Sequence, residues 1–188
     1  MWGRSSAGRA LPSHGRGRGF KSHRLHQRAP ACAGGYFFNL KGELRMFLLK
    51  QIGVIRSPFK SPSECPFQGR FSQERFTIEL FPEYEEGLKD IETCTHLIVL
   101  YWLDRANRDR LIAIPPFDKR EHGVFATRSP HRPNPIGFSV VKLLEVRGRE
   151  LVVEGLDAVD GTPVVDIKPY SSKIDCVENA RIGWFEEV

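Results

Sequence analysis

FSVVKLLEVRGRELVVEG, residues 138–155, decides the fold class. Two runs rich in Val and Leu, 138–146 and 150–155, flank Arg147-Gly148-Arg149. Gly supplies the positive φ that a tight hairpin loop needs, so the stretch predicts two antiparallel strands. Upstream, THLIVLYWL (95–103) is a continuous apolar run of strand length, the pattern of a buried strand. RFTIEL (75–80) alternates strictly and predicts a half-buried strand, and FLLKQIGVIRS (47–57) predicts another, ended by Pro58. Shorter strands are expected over 111–114 and 123–127. Downstream, Asp160-Gly161 marks a turn ahead of a strand over 163–167. PEYEEGLKDI (82–91) opens on Pro and acids and places Tyr84, Leu88 and Ile91 at i, i+4 and i+7, which predicts a short amphipathic helix. Short strands at this spacing with one helix predict a mainly β protein, a single-sheeted antiparallel β-barrel with a short helix following a disordered N-terminal segment. No βαβ alternation and no GxGxxG occurs, which disfavours a dinucleotide-binding fold.

Composition narrows the function classes. The chain has 188 residues, 40% hydrophobic and 27% charged, the profile of one globular domain. No apolar run approaches the roughly 18–20 residues of a membrane span. Cys32, Cys65, Cys94 and Cys176 form no CxxC pair and no metal-ligand spacing, which argues against a zinc module and a disulfide scaffold and fits a reducing, cytoplasmic setting. The net charge of +5 is unevenly spread: residues 1–45 hold nine Lys/Arg and one acid, while 46–188 carry a net −3. A basic surface over the whole body is therefore excluded.

Residues 1–45 are read as a disordered basic segment and 46–188 as the folded domain. A disordered tail or a targeting peptide are alternatives for the first segment. A third reading accounts for its wording. Residues 5–10 (SSAGRA), 19–22 (GFKS) and His26-Gln27 back-translate, in order and frame, into a D-arm, a T-arm and a terminal CCA. The expectation is a translated tRNA gene ahead of a natural start at Met46.

Three polar loops flank the strands: 57–69, 104–110 and 128–137. The last, RSPHRPNPIG, holds three prolines within six positions, which fix φ and withhold backbone donors. Such a loop presents two Arg, a His and an Asn at little entropic cost. An ordinary surface turn with solvated arginines is the plainer reading. His96, beside an apolar run, reads as a satisfied core histidine.

The stretch 123–137 (GVFATRSPHRPNPIG) strongly resembles the signature of the TsaA-like (TrmO-type) tRNA methyltransferases. IGVIRSPF (52–59) and LDAVDGTPVVDIKPY (156–170) agree in order and wording, and the likeness spans roughly residues 51–184. The resemblance implies a β-barrel that takes its methyl group from S-adenosylmethionine. It further implies methylation of N6 of threonylcarbamoyladenosine beside the tRNA anticodon, a homodimer with the site near the subunit interface, a cytoplasmic location, and no metal or membrane. Carried over by motif, cofactor contacts fall on Pro66, Phe67, Gln68, Asp104, Arg105, Arg128, Phe138, Asp160, Gly161, Thr162 and Pro163. Phe67 stands where relatives often carry a basic residue. Arg132, Asn134 and Tyr170 are candidates for the tRNA side. His131 and Asp166 are candidates for a base, and Arg128 and Lys168 for stabilising a developing anion. Arg105, Arg108, Arg110, Arg128 and Arg132 could concentrate positive charge for an anticodon loop. A non-enzymatic nucleotide- or RNA-binding barrel, or a methyltransferase of the same fold with another acceptor, are the rival readings.

Overall fold

The computed structural model describes residues 34–38 and 44–186, with side chains from Leu48 onward. The readings for residues 1–33 and 39–43 lie outside the described residues. Within the segment expected to be disordered, β1 (Gly34–Phe38) pairs antiparallel with β2 (Leu44–Leu48). The single strand expected over 47–57 is divided, because β2 ends at Leu48 and pairing resumes only at β3 (Gly53–Arg56).

The remaining strands are β4 (Arg75–Leu80), β5 (His96–Trp102), β6 (Ile112–Ala113), β7 (His122–Gly123), β8 (Ile136–Arg147), β9 (Glu150–Glu154) and β10 (Thr162–Pro169). Six of them close into an antiparallel barrel in the order β10-β3-β4-β9-β8-β5, as expected. Two long strands make closure possible. The first half of β8 pairs with β5 and the second with β9, with a register shift between Leu143 and Glu145. β10 likewise pairs first with β3 and then with β5, shifting between Val164 and Asp166. A bulge bends a strand and raises its local twist, so each long strand turns a corner that shorter ones could not.

Alternation then fills the interior. Leu97, Val99 and Tyr101 of β5 point inward, as do Phe76, Ile78 and Leu80 of β4, meeting Ile55, Val141, Leu151, Val153 and Val164. Complete burial of such side chains contributes about 1.5–3 kcal/mol each.

Two expected elements take other forms. Residues 82–91 form a 3-10 helix over Pro82–Leu88 and a second over Ile91–Thr93 in place of an amphipathic α-helix. Lys89 is extended at ψ 129° and Asp90 is left-handed at φ 66°, so the chain breaks before α-helical bonds can propagate. Leu88 is still buried, as its spacing suggested. The strand expected over 123–127 is limited to Gly123, and Val124–Ala126 is a 3-10 turn that buries Val124.

The strand directions sort the connections between two ends. Loops 57–74, 103–135 and 155–161 lie at one end, called upper here. The two-residue loop 148–149 and the segment 81–95 lie at the lower end.

Candidate functional site

The first polar loop of the sequence lies in 57–74, the other two lie in the single connection 103–135, and both connections meet 155–161 at the upper end. Loop 57–74 leaves β3, loop 103–135 leaves β5, and 155–161 leads into β10. The second loop is folded on itself by side chains. The Asn107 N–H donates to His131 Nδ1 at 2.9 Å, and Arg108 Nε donates to the Pro133 carbonyl at 3.2 Å while its guanidinium covers the Trp102 ring at 5.3 Å. These contacts seat 104–110 against the proline-rich stretch. Arg105 Nη1 reaches the Lys60 carbonyl at 3.3 Å and joins the first loop to the second.

Arg132 holds the proline-rich stretch in shape. Its Nε donates to Ser129 O (2.8 Å), and its Nη2 to Thr127 O (2.7 Å) and Val124 O (3.0 Å). A planar fork suits this because its donors are pre-aligned. A residue expected on the tRNA side is thus committed largely to its own loop. Asn134 is exposed on the same stretch.

Arg128 and Phe138 stand together at the rim. Arg128 Nη2 donates to the Phe138 carbonyl at 3.1 Å, and its guanidinium lies 5.7 Å from the ring centroid. Phe138 points outward from β8 and is 43% exposed, so it presents an aromatic face to a ligand instead of joining the core. Asp104 and Arg105 are exposed just past the end of β5, where Trp102 pairs with Ile136 of β8.

Asp160 is a latch. Its Oδ1 accepts from the Ser57 N–H (3.1 Å) and its Oδ2 from Lys60 Nζ (3.0 Å), and these donors, the ammonium first, hold its carboxyl below the ordinary range. Thr162 is buried, with its hydroxyl donated to Val159 O, and Pro163 is buried opposite Val54. Gly161 sits at φ 83° with its N–H donated to Ile55 O at 2.9 Å and nothing within 4 Å of where a Cβ would stand, which leaves the space beside its Cα open to a ligand. In the first loop Pro66 and Gln68 are half-buried, and Phe67 is 51% exposed and packs edge-on against Phe117 at 5.0 Å.

The remaining candidates are elsewhere. Asp166 lies mid-way down β10, its Oδ2 paired with Lys168 Nζ at 2.6 Å and its Oδ1 accepting from the Ile167 N–H. Tyr170 reaches the lower end, where its N–H donates to His96 O and its ring meets His96 edge-on. Eight residues of strand separate it from Thr162, roughly 25 Å. Within one chain, Asp166, Lys168 and Tyr170 do not join the upper loops. His96 is half-buried, its Nδ1 3.0 Å from Thr95 Oγ1.

The structure adds a polar cluster that sequence reasoning missed. Tyr101 is buried inside the barrel mouth, and its hydroxyl contacts both Asp157 Oδ1 and, at 3.0 Å, Ser139 Oγ. Ser139 also donates to Asp157 Oδ1 at 3.3 Å. Gly137 makes room, since a Cβ there would stand 2.1 Å from the Tyr101 ring. Burial foremost, then the neighbouring carboxylate, pushes the Tyr101 phenol well above its ordinary value, so it stays a donor. Cys65 is near enough to feel Asp157. Burial foremost, then that carboxylate, pushes its thiol up to about 11. The available signal was a serine at an inward position of β8 between Gly137 and Val141, and an acid between the buried Leu156 and Ala158.

The upper-end residues fit S-adenosylmethionine chemically. Phe138 offers a ring face, Asp104 a carboxylate for hydroxyl or ammonium groups, and Gly161 open space beside its Cα. No cluster of metal-ligating side chains occurs among the described residues.

Comparison with known proteins agrees on the cofactor. A "Probable S-adenosyl-L-methionine-binding protein" of Archaeoglobus fulgidus is 76% identical over 139 residues, covering 74% of this chain and 38% of its own length. A shorter "S-adenosyl-L-methionine-binding protein" from the same organism is 56% identical over 130 residues, covering 69% of this chain and 94% of its own. A solved TrmO from P. aeruginosa superposes with TM-score 0.62 at 39% identity, covering 74% of this chain and 61% of that one. This chain thus spans well under half of the first relative and about three fifths of the solved TrmO. The family model for the tRNA-methyltransferase O N-terminal domain (TrmO_N) matches residues 54–176, and the chain belongs to that family.

Proposed function

We propose that this chain is an S-adenosylmethionine-dependent methyltransferase that methylates N6 of threonylcarbamoyladenosine beside the tRNA anticodon. The carrying observation is the junction at the barrel's upper end. Three connections, joined by hydrogen bonds from Arg105 to Lys60 and from Ser57 and Lys60 to Asp160, meet beside an exposed aromatic rim at Phe138, with the arginines concentrated on 103–135. Family membership and the names of the relatives supply the class of chemistry.

The methyl donor supplies an electrophilic carbon on a sulfonium. The protein's task is alignment and exclusion of water. Phe138, with Arg128 above it, covers the adenine. Asp104 takes hydroxyl or ammonium groups, and the ligand fits beside the Cα of Gly161. His131 and Arg132 act as positioning residues, since their ring and guanidinium are bound to loop backbone. Arg105, Arg108 and Arg110 are exposed, and beyond the single loop carbonyl that Arg105 and Arg108 each hold, their guanidinium groups meet phosphates or unpaired bases. Asp166, Lys168 and Tyr170, remote from this rim in one chain, contribute through the second subunit of a homodimer.

The reading is tested with methyl-labelled donor and two tRNA pools, one carrying threonylcarbamoyladenosine and one lacking it. Label entering only the modified pool is the expected result. Label entering both pools, or a different acceptor only, removes the substrate assignment. Donor binding without transfer to either pool favours the binding-protein reading, which the names of the two Archaeoglobus relatives also favour.

A further inference from the structure

Methylating N6 of a carbamoylated adenine requires the nitrogen to lose its proton. The lone pair is delocalised into the neighbouring carbonyl, so an acceptor for that proton lowers the barrier. The two acceptors suggested by the sequence are already occupied, whichever subunit supplies them. His131 Nδ1 takes the Asn107 N–H, and Asp166 is paired to Lys168 halfway down the barrel wall.

The geometry points to Asp157 as the proton acceptor, with Tyr101 and Ser139 as its positioning residues. This rests on the methyltransferase reading above. Three observations carry it. Asp157 Oδ1 holds both hydroxyl contacts, while Oδ2 has no partner among the described residues. The carboxylate lies at the mouth of the barrel, only half-buried, between Leu156 and Ala158, which fill the core on either side of it in the chain. The support behind it is rigid: Tyr101 stands inside the barrel, in a space left by Gly137, one residue along β8 from Phe138.

Atoms and charge balance. The acceptor nitrogen bonds the methyl carbon as the carbon–sulfur bond breaks and leaves its electron pair on sulfur. The N–H proton passes to Oδ2. A cation and a carboxylate become a neutral thioether and a carboxylic acid, which returns its proton to water.

The experiment uses the full chain as wild type, Asp157→Asn and Tyr101→Phe. Methyl transfer to the modified tRNA is followed from pH 5 to pH 9, donor affinity is measured by calorimetry with S-adenosylmethionine, and Tm is recorded. Asp157→Asn is expected to lower kcat on the order of 100-fold while donor Kd moves less than about threefold. Tyr101→Phe removes a hydrogen bond to the charged carboxylate. It is expected to lower kcat severalfold and to move the acidic limb of the profile upward. A rate retained in Asp157→Asn overturns the inference, as does a loss of donor affinity matching the loss of rate, which would make Asp157 an anchor for the donor. If Asp157→Asn does not fold, Tyr101→Phe decides alone: a lowered Tm with an unmoved acidic limb assigns the cluster a structural role only. A wild type that binds the donor but methylates neither tRNA pool removes the functional reading, and the inference with it.

Discussion

The two ends of the barrel are built from the same six strands and have opposite characters. The lower end is closed by a two-residue hairpin loop and by two 3-10 helices that drop Leu88 into the core and lay Ile91 against it. The upper end carries three long connections whose side chains mostly bond to one another and to loop backbone. The lower end is held mainly by apolar burial, and the upper end adds directional polar contacts to the burial of Leu156 and Ala158. Polar contacts hold groups in place while leaving some donors and ring faces exposed, so the end capable of recognition is the one that carries them.

The first way to test that contrast is Leu88→Ala. It removes a buried side chain at the lower end and is expected to cost about 2–3 kcal/mol, read as a lower urea midpoint, with donor affinity at the upper end unchanged. A loss of donor binding in the folded variant would show that the ends are coupled. Gly137→Ala is the upper-end counterpart. Its Cβ collides with the Tyr101 ring, so a stability loss of about 1–3 kcal/mol is expected. Here calorimetry should also show weakened donor binding, because the neighbouring Phe138 and Arg128 shift with the ring. Unchanged binding would place the donor away from this rim.

A smaller effect follows from the Asp160 latch. Its folded carboxyl titrates below the ordinary 3.8, so its stabilisation is present at neutral pH and is lost as pH falls from about 4 through the depressed folded value. Asp160→Asn removes that contribution. Unfolding curves at pH 7 and pH 3 should show a smaller acid-induced loss in the variant than in wild type, and equal losses would mean that loop 57–74 is not held by this contact. The mildest test compares thiols. Cys65 is half-buried with its thiol pushed up to about 11, whereas Cys176 is exposed. Iodoacetamide at pH 7.5 should label Cys176 first, with Cys65 protected until the upper loops are released. Equal labelling would show that loop 57–74 opens freely.

Much of this contrast was legible in the residues. RFTIEL (75–80) announced β4 because alternation is a local signal, and the sequence around 138–155 announced the β8–β9 hairpin. The 82–91 segment misled in form. Its apolar spacing correctly indicated which residue is buried, but spacing does not distinguish a 3-10 turn from an α-helix when the chain breaks after Leu88. Phe138 illustrates the limit for the site. It sits in an apolar run, and only the pairing register, with Gly137 and Ser139 facing inward, turns it out to the rim. Asp166 and Lys168 illustrate the reverse, since a shared motif with Asp160 in the chain became a separation along the barrel wall.

By itself the sequence determined the strands, the polar loops between them and the motif wording that marks the family. Those properties depend on residues near one another in the chain, where alternation, proline and glycine act directly. Tertiary structure alone decided which loops meet at one end, that Arg132 binds its own loop, and that Tyr101, Ser139 and Asp157 form one cluster. These three come from three different segments, and their contact depends on closing the barrel in one register. A shift of one residue would turn Tyr101 and Ser139 to the opposite faces of their strands and away from Asp157.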